Sequence, residues 1–170
     1  MDYLEQLVGE WYEYQGYFVR YDLWVGLELD GTYEAELDIV AFHPVHNRLV
    51  HIESCLDCLE WKEREQHFRL KFEAGRKYLH RMFGFEPRAS IEQIAMIALA
   101  EGLDPHRRTV AGAKIMRLPE FLAEIVAKLS TFNVASCLIS EQWPLLRTLQ
   151  FAIEYRGSIF PVAAQDREAR

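Results

Sequence analysis

The sequence predicts an α/β fold, a mixed central sheet flanked by helices, and three observations carry that reading. Asp30-Gly31 joins two runs rich in aromatic and β-branched residues, which marks a β-hairpin. Trp61, Phe68, Phe72, Gly75, Leu79 and Met82 recur on one face of a long helix. Ile94 to Leu99 reads IAMIAL, an apolar run suited to a strand buried on both faces.

Taken in order, Leu4, Leu7, Val8, Trp11 and Tyr12 fall at helical spacing within Tyr3 to Tyr14, and Gly16 is the stop. Strands over Tyr17 to Leu29 and Tyr33 to Phe42 flank the Asp30-Gly31 turn. The turn-rich His43-Pro44-Val45-His46-Asn47-Arg48 then leads into a third strand, Leu49 to Ser54. Asp57, with Glu60 three residues later, resembles a capping box for the long helix, which runs to about Arg81. Ile91 to Ala100 and Thr109 to Leu118 are the next strands. Pro119 opens a helix through about Leu129, and a last helix, Glu141 to Tyr155, carries Trp143, Leu146, Leu149 and Ile153. One domain over 1–156 with a flexible polar tail over 157–170 is the expected organisation.

A chain of 170 residues that is 50% hydrophobic can bury one good core and is short for two. The longest apolar run, Ile94 to Ala100, falls far short of the roughly 18 residues of a membrane span. MDYLEQ lacks the basic start and apolar stretch of a signal peptide, and three cysteines are an odd number, so a cytoplasmic protein with reduced thiols is expected. The net charge of −7 counts against a broad electrostatic grip on nucleic acid. Any such grip needs a local patch, and Lys62 to Arg81 is the densest basic stretch.

Chemistry concentrates between Glu36 and Cys55. Alternation puts Glu34, Glu36 and Asp38 on one face of the second strand and His51, Glu53 and Cys55 on one face of the third. Neighbouring strands lie about 4.8 Å apart, so Asp38 and Glu53 can share one divalent cation if the register pairs these faces. Their carboxylates should then lie within about 4 to 7 Å. Both acids are embedded in apolar sequence, ELDIVAF and LVHIESC, where a charge is costly unless a cation or hydrogen bonds compensate it. Hard oxygen ligands of this kind favour Mg2+ or Mn2+ over zinc.

On these residues the sequence resembles the PD-(D/E)XK nuclease superfamily, over Tyr3 to about Ala100 and most sharply over Glu36 to Cys55. The resemblance implies a restriction endonuclease-like αβββαβ core, extended here by a C-terminal strand and two helices. It implies that Asp38 and Glu53 bind the metal, with the Ser54 carbonyl completing its shell. It also implies an auxiliary acid on the first helix, for which Glu5 fits the spacing better than Glu10, and Glu36 is a further auxiliary candidate. Cys55 stands where the family carries a lysine, and a neutral thiol cannot supply the positive charge that a phosphoryl transition state uses.

In some branches that lysine sits on the following helix, and strand and helix rises test this. Glu53 to Asp57 advances about 13 Å along a strand, and an antiparallel helix rising about 1.5 Å per residue returns to the level of Glu53 after roughly nine residues. Arg64 and Lys71 then flank the apolar stripe, whereas Lys62 points away. Lys71 is the substitute, with Arg64 its nearest competitor, and its ammonium should sit within about 5 Å of the Glu53 carboxylate. A lysine whose stem lies along the core edge is the plain alternative.

HxxH at His43 and His46 followed by CxxC at Cys55 and Cys58 offers ligands that zinc accepts, but a strand separates the pairs by about 20 Å. His51 shares the face of Glu53 and can hydrogen-bond it, although a lone strand histidine more often lies at the surface. The leading expectation is therefore a nuclease hydrolysing phosphodiester bonds with Mg2+ or Mn2+, acting on nucleic acid, DNA ahead of RNA, with no membrane partner. The rival is a nuclease fold that has lost catalysis and serves as a binding or protein-interaction module, favoured by Cys55 and the acidic charge. A homodimer would let two sites address two strands, and no residue pattern establishes one.

Overall fold

Asp2 starts the first helix. Its carboxylate accepts the amides of Leu4 and Glu5, while the Glu5 side chain accepts the Asp2 amide, closing a capping box over α1 (Tyr3–Tyr14). Our structure, a computed structural model, describes residues 1–56, 60–82, 91–99 and 103–159. Next come β1 (Phe18–Leu27), β2 (Tyr33–His43) and β3 (Arg48–Cys55), an antiparallel meander in which Ile39 pairs with Ile52 and Val40 with His51. Then follow α2 (Trp61–Met82), β4 (Glu92–Ile97), β5 (Thr109–Val110), β6 (Ala113–Arg117), α3 (Leu118–Leu129), α4 (Pro144–Glu154) and α5 (Arg156–Ile159).

The fold is α/β, and its six-stranded sheet has the order β1-β2-β3-β4-β6-β5. β3 runs parallel to β4, and β4 to β6, while the other neighbours are antiparallel, so the sheet is mixed. A parallel β3–β4 pair requires a crossover, and α2 lies on that path. Successive residues of β3 point to opposite faces: Ser54 meets Glu5 of α1, and Glu53 meets Lys71 of α2. The two helices therefore cover opposite faces of the sheet. Beneath α2, Phe68 and Phe72 pack with Cys55, Ala95, Ile97 and Ile115, and Ala74 and Leu79 pack with Val40 and Leu49. Among the described residues no helix is long and apolar enough to cross a membrane.

Several expected boundaries shift. The strand expected over Thr109 to Leu118 is two strands, because Ala111 and Gly112 both take positive φ, 49° and 83°, and make a two-residue hairpin turn. Glycine adopts this conformation freely and alanine does not, so the Ala-Gly pair gives a weaker turn signal than Asn-Gly. The fold therefore has two short strands here where one extra C-terminal strand was expected. The last helix begins at Pro144 and not at Glu141, since proline suits the first helical turn. The proposed capping residue Asp57 lies outside the described residues.

The chain falls into two compact units, residues 1–121 and 122–170. In the second, Ile125, Leu129, Ile139 and Leu146 are buried. Its Gln150 side chain donates to the Cys137 carbonyl at 2.7 Å and accepts the Ile139 amide at 2.9 Å, tying the loop to α4. Residues 157–159, expected in the tail, belong to α5, while 160–170 lie outside the described residues.

Candidate active site

The β2–β3 register continues from Ile39–Ile52 to bring Asp38 beside Glu53 at the end of the hairpin away from its turn. The Asp38 amide donates to Glu53 Oε1 at 3.3 Å, and the Ser54 amide donates to Asp38 Oδ2 at 2.9 Å. Each acid is thus fixed by a backbone donor near the other. Asp38 is 9% exposed and Glu53 fully buried.

From α2, the Lys71 ammonium donates to Asp38 Oδ1 and lies 2.8 Å from Glu53 Oε2. One cation therefore joins both embedded carboxylates, inside the distance the helix-rise argument set. Burial raises both Asp38 and Glu53 above the ordinary carboxylate range, and Lys71 pulls both back down. For Lys71 burial works against the charged form, but the attraction of Glu53 and Asp38 prevails and holds its pKa above the ordinary lysine value.

Glu53 has a second partner, since His51 Nε2 lies 2.5 Å from its Oε1. His51 is fully buried rather than at the surface, and burial drives its pKa down to about 3. The contact is therefore a hydrogen bond from a neutral imidazole and not an ion pair. His51 Nδ1 meets Gln93 Nε2 at 3.2 Å, Gln93 Nε2 donates to the Phe72 carbonyl at 2.8 Å, and Arg76 donates to Gln93 Oε1. The imidazole fits only because residue 75 is glycine: a Cβ there would lie 2.3 Å from His51 Nδ1.

A pocket of about 310 Å³ opens beside Asp38 and Lys71, with Glu5, Ser54, Cys55 and Arg64 also among its lining residues, while Glu53 lies behind them and does not line it. Glu5 Oε1 accepts from the Ser54 hydroxyl at 3.2 Å, so the first-helix acid stands at the rim through Ser54. Ser54 makes its contacts here through its amide and hydroxyl. Arg64 is 2% exposed, one of the few buried charged residues. Glu36 is half-buried further along β2 and does not line the pocket. The strand face and helix rise brought out Asp38, Glu53 and Lys71; they missed Gln93, Arg76 and the role of Gly75. A glycine inside an apolar helical stripe was the available signal, because it costs about 1 kcal/mol against alanine and so marks a close approach.

At the other end of β3, the His43 and His46 rings lie 4.3 Å apart, His43 against Tyr17. Cys55 ends that strand and packs in the core, Cys137 is exposed, neither is in a disulfide, and Cys58 lies outside the described residues. Among the described residues no three His, Cys, Asp or Glu side chains converge as a ligand set. Two acids do converge, and their chemistry fits a small hard cation. Glu53 Oε2 is buried, and its partner is the Lys71 ammonium 2.8 Å away. A Mg2+-like ion that keeps several waters needs only one or two carboxylates of this kind.

Comparison with family models gives no match, and comparison with curated proteins gives none. Among solved structures, the crystal structure of AF1548, a protein of unknown function, is similar with a TM-score of 0.46 at 15% identity, covering 89% of this chain and 77% of its own.

Proposed function

We propose that the chain is a PD-(D/E)XK-type domain, with a restriction endonuclease-like core, that hydrolyses phosphodiester bonds of nucleic acid with Mg2+ or Mn2+. The observation that carries this reading is the single α2 ammonium held by two embedded carboxylates from adjacent strands. Asp38 and Glu53 would hold the metal, which when bound supplies a Lewis acid for the phosphoryl oxygen and a more acidic water. The Lys71 ammonium, in the place of the strand lysine that Cys55 replaces, orients the attacking water and faces the charge that develops on the phosphoryl group. The backbone amide of Ser54 fixes Asp38, and Glu5 extends the acidic rim through the Ser54 hydroxyl. Burial keeps bulk water from Glu53, so its electrostatic hold on a cation is stronger than in solvent.

A second reading, a binding module that has lost catalysis, draws on the same ammonium, which already occupies the space between both acids as an internal ion-pair partner. The two part in a cleavage assay with Mg2+ or Mn2+ on single-stranded, double-stranded and branched DNA and RNA. The nuclease reading expects cleavage that Asp38→Ala and Glu53→Ala each abolish. No cleavage by the natural protein, with cleavage created by Cys55→Lys, would establish the second reading instead.

A further inference from the structure

The hydrogen bonds behind the pocket have a fixed direction. Arg76 can only donate, so the Gln93 oxygen it meets must be the amide carbonyl. That places the Gln93 NH2 group against the Phe72 carbonyl at 2.8 Å and His51 Nδ1 at 3.2 Å. An amide nitrogen is a donor only, so Nδ1 must accept, and a neutral imidazole then carries its proton on Nε2, facing Glu53 Oε1 at 2.5 Å. Oε1 also receives the Asp38 amide at 3.3 Å, while Oε2 points the other way, to the Lys71 ammonium at 2.8 Å.

From this geometry we infer that His51 is a positioning residue: through its Nε2–H it anchors one oxygen of Glu53 and aims the other at the cation site, its direction set by Arg76 and Gln93. The inference rests on the proposed role of Glu53 as a metal ligand. Partners that orient a ligand in this way are worth about 10- to 100-fold in metal affinity. Gly75 belongs to the same device, since any Cβ there would displace the ring.

Two substitutions separate aiming from mere filling. The amide nitrogen of glutamine reaches the position of Nε2 and can donate to Glu53, whereas asparagine reaches only Nδ1 and can accept from Gln93 but not touch Glu53. Calorimetric titration of the full chain with Mn2+ alone should show His51→Asn weakened about tenfold or more. His51→Gln should keep most of the natural affinity. In the unsubstituted protein, imidazole 15N resonances should show the neutral Nε2–H tautomer, a readout that needs no variant to fold. A proton on Nδ1, or equal Mn2+ affinity in natural protein and His51→Asn, would overturn the inference while leaving the metal site intact. No Mn2+ binding by natural protein that shows the Nε2–H tautomer would overturn the metal reading, and with it the purpose given to His51.

Discussion

α2 reaches across to β2 with a lysine twice, and the two meetings differ in almost everything but geometry. Lys77 lies 2.5 Å from Glu34 Oε2, with side chains 54% and 37% exposed, and the Tyr78 hydroxyl donates to the same carboxylate. Lys71 meets Asp38 and Glu53, with side chains 19%, 12% and 1% exposed. Next to Lys77 and Tyr78, Glu34 is held below the ordinary carboxylate range; burial instead raises Asp38 and Glu53 above it despite their own lysine. Water decides the sign. A solvated acid with a cation is simply more acidic, whereas two desolvated acids sharing one cation are undercompensated and have room for more positive charge.

The largest effect follows from removing the shared cation. Lys71→Met leaves two carboxylates buried without it, and urea denaturation should show a loss of about 3 kcal/mol. Its pH dependence sharpens the comparison. A carboxyl group whose folded pKa is raised contributes stability that is full below its unfolded pKa and is lost as pH rises through the folded value. Without Lys71 both acids rise further, so the variant should recover stability as pH falls from about 7 towards the ordinary glutamate value, more steeply than the natural protein.

Gly75→Ala comes next. Alanine gains about 1 kcal/mol of helix propensity over glycine, but its Cβ would sit 2.3 Å from a fully buried imidazole. Repacking around such an overlap costs about 1 to 3 kcal/mol, so the helix should gain nothing net and the protein should melt lower. An unchanged or higher melting temperature would mean that the ring moves at no cost. The smallest effect belongs to Lys77→Met, which should leave the melting temperature essentially unchanged, because exposed pairs are screened and pay side-chain entropy for their geometry. A loss comparable to that of Lys71→Met would erase the distinction between the two sites.

How much of this was legible in the sequence depends on distance along the chain. Alternation set Asp38 and Glu53 on faces that meet, since period-two patterning is local and the turn between the strands is short. Helix rise then found Lys71, because one short connection and a regular helix leave little freedom. Gln93 reaches His51 only through the parallel β3–β4 pairing, 42 residues away, and no local pattern announces such a contact. His51 was ambiguous for the same reason: whether a strand histidine is wet or buried depends on what covers it, and here Phe72 and Gly75 do. The Ala111-Gly112 hairpin escaped because a weak turn residue leaves no break in the apolar pattern.

The most direct test of the claim that α2 supplies the missing lysine is the rate of metal-dependent cleavage in three proteins: natural, Lys71→Ala, and Lys71→Ala with Cys55→Lys. Cys55 lines the pocket on the same face of β3 as Glu53, so a lysine there returns a positive charge to the site from the strand. Loss of one electrostatic stabiliser should slow Lys71→Ala by about a hundredfold, with part of the rate restored in the double variant. Cleavage by Lys71→Ala at the natural rate would contradict the account.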